Sequence, residues 1–335
     1  MLAAVLLLWA APLTATPTTE AAPPSAETIS REMTGYGAWM ARLLEVIQPI
    51  QVELGGLRDA WQDALRGGPR DGASRFRAYV QRTDAAFERA DAALRALDAP
   101  TFAALDLAED LRPVTVVRDM LRLNQESRVM IRNFLPMLDS LAGNDPRAMS
   151  AATGEMMRSI RVVLESQLVF ARASIASTER ESAMWEVGNI QLLFFRGLQR
   201  SLDAWPHAMR GQADATLARD LEALAQELDG HAESGSARNR AEIARVGEEA
   251  RQLADEGEEA RARVMRQAAA VYGESENYFG LGRDIAAAMR SGAAIARRGP
   301  LTVDTLGEIM NGIGRLRPRF DDIARQESAV MVRTN

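Results

Sequence analysis

From Ile29 to Ala64, apolar side chains recur at Ile29, Met33, Tyr36, Met40, Leu43, Ile47, Ile50, Leu54, Leu57, Trp61 and Ala64, in alternating steps of four and three. That spacing keeps a single stripe of a helix apolar, so it predicts a long rod packed along its length on other helices. The rod begins near Glu27 and closes at Gly67-Gly68-Pro69. Pro49 predicts a kink rather than a break, because the stripe holds its phase across it. Gly55 and Gly56 mark a second joint. The same seam returns at Phe76, Val80, Thr83, Phe87, Ala90, Leu94 and Leu97, and the short link between the two runs predicts an antiparallel hairpin. A third seam runs through Met120, Leu123, Ser127, Met130, Phe134, Met137 and Leu141, with Pro136 bending its last turn. Asp145 then stands as an N-cap before Pro146. No strong breaker follows until Pro206, which predicts one helix over 146–205.

Beyond Pro206 a short leucine seam (Leu217, Leu221, Leu224, Leu228) is expected to end at Gly230 and a loop, HAESGSA. The next helix is predicted over 237–271, carrying GEEAR at both Gly247 and Gly257 as solvated surface. The Tyr272–Gly282 stretch, YGESENYFGLG, has the composition of a loop. A helix then runs to Arg298, and Thr305 with Glu308 forms a capping box for the last one, seamed by Leu306, Ile309, Ile313, Leu316, Phe320, Ile323 and Val330. No segment alternates with period two over strand length. The fold class is therefore all-α: an elongated antiparallel bundle of long, heptad-patterned, coiled-coil-like helices, in a first portion over 27–206 and a second over 207–335.

Composition narrows the chemistry. Of 335 residues, 47% are apolar and 5% aromatic, with 40 basic against 46 acidic side chains. This mild acidity argues against a nucleic-acid partner, which calls for a basic face. The sequence contains neither Cys nor Lys. Without Cys there is no disulfide, thiolate nucleophile, iron–sulfur cluster or cysteine-ligated zinc. Without Lys there is no phosphate-loop lysine, pyridoxal Schiff base or kinase lysine.

The N-terminus reads MLAAVLLLWAAPL, an apolar run suited to a signal-peptide core and too short to span a bilayer comfortably. Small residues follow, so a signal peptide over 1–21, a Pro/Thr/Ala linker over 22–26 and a periplasmic or secreted mature protein are expected. No second apolar run approaches spanning length.

Candidate sites are few. Ser174, Thr178 and Ser182 share a face at helical spacing where apolar residues would be expected. They form either a solvated or closely packed face or the lining of an internal ligand pocket. The stretch after them, from Met184 to Leu198, is apolar around most of the helix, so it is either core or a surface for something external. Trp185, Phe194 and Phe195 there, with Tyr272, Tyr278 and Phe279 in the later loop, are the candidate interaction surface. The two histidines, His207 and His231, lack the partners that a metal site needs. Glu227 is four residues before His231, but Gly230 separates them. The 15 methionines fall largely on seams as flexible core filler rather than as copper ligands. No Gly-x-Ser-x-Gly elbow or di-iron Glu-x-x-His pair occurs. These observations imply no catalytic residue, metal or cofactor, and read as a non-enzymatic interaction or scaffold protein of the cell envelope, working through a protein partner or self-association. A small-ligand or sensor-like bundle is the alternative.

Overall fold

The computed structural model describes residues 25–333 apart from 67, 106, 108, 177 and 181. The expected signal segment over 1–21 and residues 22–24 of the linker lie outside the described residues. Twelve α-helices carry the described chain, with two short 3-10 turns (Ala103–Leu105 and Glu109–Leu111) and no strand among the described residues. The all-α class read from the seams is the observed one, and no described helix is long and apolar enough to cross a membrane. Packing groups the described chain into two units, one within residues 42–101 and 112–167, the other within residues 25–41, 102–111 and 168–333.

The smaller unit takes the C-terminal part of α1 (Ala26–Gly55), then α2 (Leu57–Arg66), α3 (Pro69–Ala96), α4 (Pro113–Arg132), α5 (Phe134–Gly143) and the first part of α6 (Pro146–Ala176). Its centre is α3, whose Phe76, Tyr79 and Phe87 are buried among Ile50, Ala64, Ile131 and Leu138. Trp61 meets Phe76 and Phe134 edge-on, with ring centres 5.8 and 5.2 Å apart. Such aromatic pairs add attraction beyond the area they bury. The hairpin expected between the first two seams forms here, as α2 and α3. Gly72 makes its tight crossing possible, since a Cβ there would lie 1.8 Å from the Ala64 carbonyl oxygen. Asp145 caps α6 as the Asp-Pro pair implies, accepting from the Arg147 and Ala148 amides at 3.0 and 3.1 Å.

The larger unit holds α7 (Ala183–Asp203), α8 (Trp205–Met209), α9 (Leu217–Asp255), α10 (Glu259–Arg297), α11 (Val303–Gly314) and α12 (Arg317–Arg333), with the N-terminal part of α1. Helices α9 and α10, 39 residues each, pair along their length as an antiparallel hairpin. At a rise of about 1.5 Å per residue each arm is on the order of 58 Å long. Gly257, at φ 78°, makes the turn in a conformation that other residues adopt only with strain. Helix α7 packs chiefly on α9 and also meets α10 and α11. It buries Val187, Ile190, Leu193, Phe194 and Phe195. The apolar stretch from Met184 to Leu198 is therefore core.

Several boundaries differ from the sequence reading. The helix expected over 146–205 breaks between Ala176 and Ala183, and Ser182 caps its second half by accepting the Trp185 amide at 3.1 Å. The two expected loops, HAESGSA and YGESENYFGLG, lie inside α9 and α10, and the turn between these helices comes at Gly257 instead. The glycines that suggested loops serve close packing: Cβ atoms at Gly235 and Gly282 would come within 2.1 Å of Phe279 and 3.0 Å of Ile190. The last capping box is built by Thr302 and Thr305, not by Thr305 and Glu308. The helix that follows stops at Gly314, with Pro318 in the first turn of α12.

Candidate functional site

A belt of polar side chains crosses the larger unit where α7, α9 and α10 meet. Glu186, in the first turn of α7, is 2% exposed. Its Oε2 lies 2.5 Å from His231 Nδ1, and its Oε1 lies 3.5 Å from Arg238 Nη1. His231 and Arg238 are seven residues apart on α9, two turns along one face, which is why a single carboxylate reaches both. The Nδ1 contact is a hydrogen bond whose direction follows the tautomer of the ring. The positive end of the α7 dipole also favours the anion. The Trp185 ring stands edge-on to His231, with centres 5.7 Å apart.

Beside Arg238 on α9 the belt continues. Asn239, fully buried, donates through Nδ2 to the Tyr272 carbonyl at 2.9 Å and to Glu276 Oε2 at 3.0 Å. Ser236 donates to Glu276 and accepts from Arg240 Nη2 at 2.7 Å. Tyr272 has its phenol pushed upward, first by burial and then by the nearby Glu242 carboxylate. A second buried carboxylate, Glu327 on α12, is fully enclosed beside Ser275 and Tyr278 of α10.

The belt is paired within itself except at Arg238 Nη1 and Asn239 Oδ1, which are buried without a hydrogen-bond partner. Its chemistry is that of an internal lock between helices, where satisfied polar groups specify a register and unsatisfied ones cost heavily. No group of three or more His, Asp or Glu side chains arranged to hold a metal occurs among the described residues.

The residues singled out from sequence fall in two places. Thr178 donates to the Ser174 carbonyl at 2.6 Å, and Ser182 donates to the Glu179 carbonyl at 2.8 Å while capping α7. The Ser174, Thr178 and Ser182 stripe thus shapes the joint between α6 and α7. Of the aromatic candidates, Phe194, Phe195, Tyr272, Tyr278 and Phe279 are buried and Trp185 is half-buried, so they build core rather than an exposed face. Glu186, Arg238, Asn239 and Glu327 were not singled out. Their signal was a polar residue interrupting an apolar seam, which sequence alone cannot separate from a solvated position.

The charged outer surface lies elsewhere. At the turn end of the α9–α10 hairpin, Arg245, Glu248, Glu249, Gln252, Glu256 and Arg261 line an open groove with Leu253. Ion pairs here stay within one arm: Arg245 with Glu242 and Glu249 at 2.8 and 3.2 Å, Arg251 with Glu248 at 2.7 Å, and Arg261 with Glu258 at 2.7 Å. Comparison with protein-family models, with curated proteins and with solved structures finds no match to this chain.

Proposed function

We propose that this chain is an exported, non-enzymatic helical interaction protein of the bacterial cell envelope, and that the turn end of the α9–α10 hairpin is its contact surface. The observation that carries this reading is the groove just described. Over residues 245–261, which span the groove lining, six acidic side chains (Glu248, Glu249, Asp255, Glu256, Glu258 and Glu259) stand against three basic ones (Arg245, Arg251 and Arg261), a net charge of six minus three, or −3. Such a field favours a basic partner and speeds its approach. The aromatic stretches and the polar belt point inward, which leaves charged helix surface as what the hairpin presents. Export rests on the apolar run from Met1 to Leu13 and the small residues after it.

The test is charge inversion. Replacing Glu248, Glu249 and Glu256 by Arg should abolish co-isolation of the partner from envelope fractions while helical content stays unchanged. Association in the wild type should weaken as salt rises, because exposed charges are screened over about 8 Å at physiological ionic strength. Undiminished co-isolation of the inverted variant contradicts the reading.

One observation favours a second reading, a small-ligand-binding bundle. In the smaller unit, Arg122, Gln125, Glu126, Val129, Ser159 and Val162 line a groove between α4 and α6, and buried Glu126 Oε2 has no hydrogen-bond partner there. A small polar ligand would satisfy that oxygen. Thermal-shift screening against such ligands separates the two readings.

A further inference from the structure

Helix α12 docks on α10 by burying a carboxyl group that has no cation beside it among the described residues. Glu327 is 0% exposed, and its polar neighbours are two hydroxyls, Ser275 Oγ at 3.0 Å from Oε1 and Tyr278 Oη at 3.4 Å from Oε2. The Ser275 hydroxyl also lies 2.9 Å from the Val271 carbonyl. A hydroxyl has one proton to donate. If Glu327 is a carboxylate, its oxygen and the Val271 carbonyl compete for that proton. If Glu327 is a carboxylic acid, every group is satisfied: the acid donates to Ser275 Oγ, Ser275 donates to Val271, and Tyr278 donates to the other carboxyl oxygen.

The surrounding charges point the same way. Among the described residues, Glu274 of α10 adds repulsion, and Tyr278 is the other titratable group in contact. Asp321, on α12 itself, bears on Tyr278 and lies 3.8 Å from Arg317. An ionised Glu327 would be a buried charge without a counterion among the described residues, which costs several kcal/mol in general.

We propose that Glu327 is a proton-dependent latch: protonated, it holds α12 on α10, and loss of its proton as pH rises favours release of the helix. Burial pushes its pKa well above the ordinary carboxyl range, against the smaller opposing effect of the Ser275 and Tyr278 hydroxyls. The folded-state value is thus raised over the unfolded one. The stabilisation is fully present below the unfolded value and is lost as pH rises through the folded one. Release would uncover Phe320, Ile323 and Met331, all buried in the docked helix.

Hydrogen exchange followed by mass spectrometry on the full chain tests this between pH 6 and 10, with rates corrected for intrinsic pH dependence. Protection over residues 317–333 should fall by up to about tenfold per pH unit as pH rises from the ordinary carboxyl range towards the raised value of the docked Glu327, and level off beyond it. Peptides from α7 should hold theirs. Glu327→Gln, whose amide donates to Ser275 Oγ as the acid does, should show no such loss. Equal pH responses in the two proteins, or none in the wild type, overturn the latch. Should the variant fail to fold, infrared spectroscopy of the wild type decides. A neutral carboxylic-acid carbonyl band that persists at pH 8 and vanishes in step with α12 protection supports the proposal. Absence of that band at pH 8 overturns it.

Discussion

Gly235 sits inside α9, where alanine would ordinarily be the better helix former by about 1 kcal/mol. Here a Cβ would lie 2.1 Å from Phe279 Cε1 and 2.9 Å from Glu186 Cβ, both in the packed core. Overpacking of that kind costs about 1–3 kcal/mol, which exceeds the propensity gain. Gly235→Ala should therefore lower stability by about 1–2 kcal/mol, read as a lower urea midpoint at unchanged slope. Gly247→Ala is the matched control, because nothing lies within 4 Å of a Cβ there; it should raise the midpoint. A midpoint that stays put or rises for Gly235→Ala contradicts the close approach of α9 to α7 and α10. The same site shows why Glu186 matters: a carboxylate so enclosed tolerates its burial through His231 and Arg238, and both come from the helix that Gly235 brings near.

Helix ends are where local chemistry acts most visibly. Asp214 precedes α9 and accepts the Thr216 and Leu217 amides at 3.0 and 3.1 Å, while Arg200 of α7 bonds it at 2.9 Å and Asp220 at 2.6 Å. Burial alone would raise the Asp214 pKa. Bonds from the Thr216 hydroxyl and the Arg200 guanidinium outweigh it and bring the value down to about 2. The folded value lies below the ordinary 3.8, so the stabilisation is present above the unfolded value and is lost as pH falls through about 2. Asp214→Asn should cost about 1–2 kcal/mol near neutrality, and the gap from wild type should close between about pH 4 and 2 in acid-unfolding curves. A gap that stays constant across that range contradicts the assigned role.

At this same scale the sequence was readable where one local force acted alone. Long apolar stripes announced helices, and Asp145-Pro146 announced a start. It misled where two forces competed. Gly235 and Gly282 carry a loop signal locally, yet tertiary packing uses their missing side chains to draw helices together. Ser182 looked like one residue of a polar stripe, yet its hydroxyl satisfies an amide at a new helix start. The polar belt was illegible for a related reason. Glu186 and Asn239 become interior only when a distant helix arrives, and no short-range pattern records that arrival.

At the scale of the described molecule, long-range packing gathers residues 25–41 and 102–111 with 168–333, and residues 42–101 with 112–167. Within the larger unit the aromatic and polar-belt residues turn inward, while the hairpin turn exposes Glu256, Glu258 and Glu259. That division between a sealed interior and a charged tip is the central claim about function. Its most direct test places a photo-crosslinking amino acid at position 256 in living cells, with position 155, an exposed glutamate on α6, as the comparison. The account predicts a discrete crosslinked species from position 256 that is missing from position 155 and is lost when Glu248 and Glu249 are also replaced by Arg. No adduct at position 256, or the same products from both positions, would contradict it.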